Sequence, residues 1–259
     1  MSLQIGRAFQ DGIDELLSER GAMFAGAFVL LGLLNAVVWA SLSQRLIELF
    51  IEQLPEGMQV SQAATAGNAS LALDVPLAVA GVAALVLFVA GEALNIVAVR
   101  AFASGDRDPI PDDVTRRLGR TVGVAIVAGI LVAIAVVIGF LLLIIPGLVI
   151  ALLFFFVRQE VALNDSGVFE SLANSISVVG DNLLATVVIA VILAAIGIAV
   201  SLVLGALPLP LPPVVSTTVT TVLSSVVGVF GLAVTTVAYL QATDETDGFS
   251  EGTEPASGF

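Results

Sequence analysis

Apolar residues gather in six runs, near residues 22–43, 76–100, 119–144, 147–165, 183–206 and 214–240. Each approaches or exceeds the roughly 20 residues that an α-helix needs to cross a bilayer. The fold expected is all-α: a polytopic integral membrane helical bundle with six transmembrane helices. The third and fourth runs need a break, because residues 121–157 are almost uninterrupted. One helix of that length would extend roughly 55 Å, against a hydrocarbon thickness of about 30 Å. Pro146 and Gly147 mark the expected turning point, since proline suits a first helical turn and glycine tolerates tight backbone. Between the fifth and sixth runs, Leu207-Pro208-Leu209-Pro210-Leu211-Pro212-Pro213 cannot continue a helix and predicts an extended connector.

Amphipathic segments precede the odd-numbered runs. Ile5, Phe9, Ile13, Leu16 and Leu17 recur at helical spacing, with Arg7, Asp11, Asp14, Glu15 and Glu19 on the other side. This start lacks the basic region and small-residue cleavage site of a signal peptide, so no cleavage is expected. Residues 111–120 and 167–180 are the other two, the last with Phe169, Leu172, Ile176 and Val179 on one face. The pattern predicts three hairpins, each entered through a short interfacial amphipathic helix. One membrane domain over 1–240 follows, with an acidic tail over 241–259. That tail has five acidic and no basic residues and is expected to be a disordered cytoplasmic end.

Composition narrows the class. Hydrophobic residues make up 58% and charged residues 12% of the chain, which leaves no room for a separate catalytic domain. All nine basic residues are arginine, 22 residues are acidic, and the net charge is -13. An acidic, lysine-free surface resembles proteins of extreme halophiles, so a salt-loving archaeal host is expected. Absent Cys and His exclude disulfides, thiolate zinc sites and histidine bases; no cofactor or metal is expected. A basic nucleic-acid footprint is also missing.

The arginines give a topology. With the N-terminus inside, Arg7, Arg20, Arg100, Arg107, Arg116, Arg117, Arg120 and Arg158 lie toward the cytoplasm, and Arg45 alone lies outside. Both termini are then cytoplasmic in a multi-pass cell-membrane protein. Asn68, in Asn68-Ala69-Ser70, becomes an outer glycosylation sequon, whereas Asn164-Asp165-Ser166 stays inside.

The stretch from Leu141 to Asn182 reads Leu-Leu-Leu-Ile-Ile-Pro-Gly, an apolar span, then Glu170, Leu172, Ser175, Gly180 and Asn182. It resembles multi-pass domains that include the membrane domain joined to glycerophosphodiester phosphodiesterases and related haloarchaeal domains of unknown function. The resemblance implies a membrane module and carries no phosphodiesterase activity, which belongs to a separate domain. Where that family has basic residues before the serine, this chain has Ala173 and Asn174.

Few residues could carry chemistry. Glu92 lies inside the second run with Asn95 one turn away, and Arg158 and Glu160 lie in the fourth, giving an expected intramembrane polar cluster. Its structural reading is an ion pair, Glu92 with Arg158, whose guanidinium Glu160 could share; its functional reading is ion coupling in a transporter. Thr217, Thr221, Ser224, Gly228, Gly231 and Thr235 form a small-residue stripe, and Ala190, Ala194, Gly197 and Ser201 another. Such stripes predict close packing of the last two helices. Trp39 and Tyr239 suggest interfacial anchoring. The function expected is a non-enzymatic structural or accessory role through lipid or protein contacts, with membrane lipids, another membrane protein or a second copy as partners. The alternative is a small-solute or ion transporter or channel using Glu92.

Overall fold

A computed structural model describes residues 4–53, 71–104, 110–111, 113–206 and 212–251, with backbone alone for 205–206, 213 and 244–251. The connector at 207–211, Arg107, Asn68 and its sequon, and the last residues of the tail lie outside the described residues. Among the described residues all regular structure is helical: α1 (Ile5–Leu17), α2 (Glu19–Glu52), α3 (Leu77–Ala103), α4 (Leu118–Leu142), α5 (Ile144–Leu153), α6 (Val157–Asn164), α7 (Val168–Asp181), α8 (Leu183–Ala206) and α9 (Pro213–Glu251).

Among the described residues, six helical stretches are long and apolar enough to cross a membrane: Glu19–Glu52, Leu77–Ala103, Leu118–Leu142, Ile144–Asn164, Leu183–Leu204 and Val214–Thr243. They coincide with the six apolar runs. Leu141 to Ile145 are each between 69% and 81% exposed, five consecutive large apolar side chains. Such a row marks a surface facing something other than water.

The break between the third and fourth runs falls at Leu143, earlier than the expected Pro146-Gly147. Leu143 is extended and its N–H donates to Gly139 O at 3.0 Å. Pro146 is then the third residue of α5, where its missing N–H costs nothing. Gly147 serves packing instead: a Cβ there would sit 2.6 Å from the Phe140 ring. The fourth run is itself divided, because turns at Phe154–Phe156 separate α5 from α6.

Two further expectations change. The amphipathic helix expected over 111–120 is a run of turns from Asp113 to Arg117, with Arg117 left-handed at φ 48°. The carbonyls of Val114 and Arg116 that would feed a helix are taken by Arg100 Nη1, at 3.0 and 2.6 Å. Disorder from Gln241 is also displaced, since α9 continues to Glu251. Ala242 is fully buried in the same cluster as Ala8, so packing holds the helix beyond residue 240.

The chain groups into two compact units. The first contains residues 1–23, 92–196 and 229–259. Its main core joins Ala8, Phe156, Val179, Ile189, Val234, Ala238, Tyr239 and Ala242. A Cβ on Gly12 would lie 2.5 Å from Val234 Cγ2, so α1 rests on α9 through Ala8 and Gly12, one turn apart. A second cluster sets Val157 and Val161 of α6 against Ala128 of α4.

The second unit contains residues 24–91 and 197–228. A Cβ on Gly32 of α2 would lie 2.8 Å from Thr221 Cγ2 of α9, and Ser225 donates to Phe28 O at 3.3 Å. Ahead of α3, Leu73 N–H donates to Ser41 Oγ at 2.8 Å, and Arg45 binds Val75 O at 3.0 Å, Glu48 at 2.8 Å and Asp74.

Candidate functional site

The four residues of the expected intramembrane polar cluster, Glu92, Asn95, Arg158 and Glu160, lie in the first unit. Glu92 of α3 and Arg158 of α6 form the expected ion pair, with Arg158 Nη2 3.0 Å from Glu92 Oε1. Arg158 reaches it from the first turn of α6. That turn exists because Ser175 of α7 repairs the backbone at the α5–α6 break. Its hydroxyl donates to Leu153 O at 2.9 Å and accepts from Phe156 N–H at 3.2 Å. A bare break among apolar neighbours would strand both groups. The pair is asymmetric: the Glu92 side chain is 14% exposed, the Arg158 side chain 45%. Asn95 follows one turn along α3.

Glu160 does not share that guanidinium. It is buried within a separate ring of neutral donors. Asn174 Nδ2, at 2.6 Å, and Ser166 Oγ, at 3.1 Å, donate to Oε1; Asn164 Nδ2, at 3.0 Å, and the Tyr239 hydroxyl donate to Oε2. Side chains of α6, α7 and α9 thus meet on one carboxylate. Tyr239, read from the sequence as an interfacial anchor, is one of these buried donors. Beside it, Gln159 donates to Thr235 Oγ1 at 3.0 Å, and its buried Oε1 has no hydrogen-bond partner among the described residues.

Sequence reasoning missed a third centre. Arg100, near the end of α3, donates to Ala162 O at 2.7 Å, to Val114 and Arg116 carbonyls, to Thr121 Oγ1 at 3.2 Å and to Asp165 Oδ1 at 2.8 Å. Asp165 also meets Arg116 at 3.1 Å. Arg20 donates to Ala101 O and to Ser104 Oγ at 3.2 Å, and lies 3.6 Å from Glu15 Oε1. Burial pushes the Glu15 carboxyl above the usual carboxylate range, and Arg20 opposes this more weakly. The available signal was an arginine at a span's end with an aspartate just past another span, a pairing that counting arginines for orientation ignores.

The small-residue stripes do not make the close approach expected of them. Among the described residues, a Cβ at Gly197, Gly228 or Gly231 would meet nothing within 4 Å. Ser201 donates to Gly197 O of its own helix at 2.9 Å, and Ser224 is exposed. Thr221 does pack, but against Gly32 of α2. Spacing alone does not say which small residues face a neighbour.

Among the described residues, six helical stretches long and apolar enough to cross a membrane, in regular structure that is all helical, indicate a multi-pass membrane protein. Within that class the chain belongs to the DUF7847 family, a domain of unknown function that matches residues 3–242. That match does not link it to phosphodiesterase-associated or haloarchaeal domains. No curated protein and no solved structure matches the chain.

Proposed function

We propose a non-enzymatic multi-pass membrane protein that works through lipid or protein contacts. One observation supports this best: the buried charged groups Arg100 and Glu160 of the first unit act as helix ties. Arg100 binds three backbone carbonyls, a threonine and an aspartate, while Glu160 accepts from four neutral donors. Groups so engaged hold a scaffold, whereas catalysis needs a nucleophile or base free to exchange protons with a substrate.

The finer architecture belongs to the same reading. Three hairpins span the membrane, with α1 and α7 lying in its interface. α7 supports this by turning its serines inward: Ser171 and Ser175 are buried, while Phe169 is 80% exposed and leads a stripe through Ala173 and Ile176. An adjacent exposed edge carries Glu170, Ser177 and Asp181, suiting water. The arginine bias puts both termini in the cytoplasm; protease applied to right-side-out vesicles should spare the segment after Gln241. The acidic, lysine-free surface suits a haloarchaeal membrane, and the Leu141–Asn182 stretch suits kinship with the phosphodiesterase-associated membrane domain.

Extraction from the native membrane with surrounding lipid, followed by mass spectrometry, should return a lipid or protein in fixed stoichiometry. The half-exposed guanidinium of Arg158 favours the second reading, a small-solute or ion transporter using Glu92. Solute flux in proteoliposomes that Glu92→Gln abolishes, with nothing retained on extraction, would replace the first reading by the second.

A further inference from the structure

Arg116, Arg117 and Arg120 cluster where α4 begins, and all three are exposed. Arg116 is steadied by Asp165, yet its side chain is still 53% exposed. Among the described residues, Asp113 is the exposed acidic neighbour on the same segment, and Asp165 is divided between Arg100 and Arg116. From this cluster α4 runs 25 residues, about 37 Å, with Val127, Ile130, Ile134, Val137 and Ile138 exposed along it. A rod with that surface lies in hydrocarbon, so its first turn stands at the level of lipid headgroups. Val168 and Leu172 of α7 pack on the same apolar cluster as Val124 and Ala125 of α4, so the two helices adjoin, and Phe169 next to Val168 is exposed.

We propose that Arg117 and Arg120, flanked by Arg116, bind the phosphate of an anionic membrane lipid, with Phe169 among its acyl chains. The Arg120 amide donates to Arg117 O at 2.9 Å, which holds the two residues in one turn at the start of α4, so two guanidinium forks can grip one phosphate. The positive end of the α4 dipole reinforces them. This site rests on the lipid-contact reading and names the lipid class.

The full chain in mixed micelles, followed by native mass spectrometry, tests it with phosphatidylglycerol against phosphatidylcholine. The parent should retain phosphatidylglycerol preferentially. R117Q/R120Q should lose that preference by about fivefold per arginine removed, and R117K/R120K should keep part of it. Both positions are exposed, so unchanged thermal unfolding will confirm that the variants fold, and R7Q should behave as the parent. Undiminished preference in R117Q/R120Q overturns the site, as does displacement of the lipid by millimolar inorganic phosphate, which would mark a free-phosphate site. Equal retention of both lipids by the parent also overturns it and leaves the lipid-contact reading standing. Retention of neither lipid nor protein removes both.

Discussion

Arg158 and Glu92 stand 66 residues apart in sequence and 3.0 Å apart in the fold, tying α6 to α3. Because Arg158 is half exposed, removing its partner should cost less than in a fully buried pair. Glu92→Gln is expected to lose about 1–3 kcal/mol, and the Glu92→Gln/Arg158→Leu double variant less than the two single changes combined. Thermal unfolding in detergent across the four-member cycle checks this, and plain additivity would reject the coupling.

Glycines differ by what surrounds them. Gly12→Leu should destabilise by about 1–3 kcal/mol, because a side chain there enters Val234 of α9. Gly228→Leu should be tolerated, since a Cβ there meets nothing within 4 Å among the described residues. Comparable losses from both substitutions in the same detergent would contradict the packing of α1 on α9.

Ser175 satisfies both sides of the α5–α6 break, so Ser175→Ala should cost about 1–3 kcal/mol. Hydrogen exchange at the Phe156 amide should accelerate in the variant. An unchanged exchange rate would mean that the amide has another acceptor.

Glu15 supplies the pH dependence. Its carboxyl is raised in the folded chain, so the stability it contributes is full below the unfolded value and declines as pH rises through the folded one. Glu15→Gln should flatten the fall in unfolding temperature across that window, despite losing the weaker attraction of Arg20. A steeper fall in the variant would reverse the order of burial and charge pairing.

The spans were legible because a long apolar run has few solutions in lipid, and counting depth along two runs was enough to pair Glu92 with Arg158. Glu160 was not legible: Asn164 lies one turn further along α6, but its other donors arrive from the α6–α7 connection, α7 and α9, and distances across a bundle are not written in helical spacing. Pro146 misled about the turn, since a helix can begin two residues before a proline without losing a hydrogen bond. Gly228 and Gly231 share the spacing of contact glycines, but spacing is indifferent to whether another backbone stands opposite.

The turn at Leu143 bears on how the chain enters a membrane. From Val122 to Val157 no side chain is polar, and the turn's own amide is bonded to Gly139 O. Nothing hydrophilic need be carried across the bilayer for α4 and α5 to insert together, so this pair can partition laterally from the translocation machinery as one greasy wedge. Aspartates placed between Leu141 and Ile145 would impose that missing work, and slowed insertion into isolated membranes would register it.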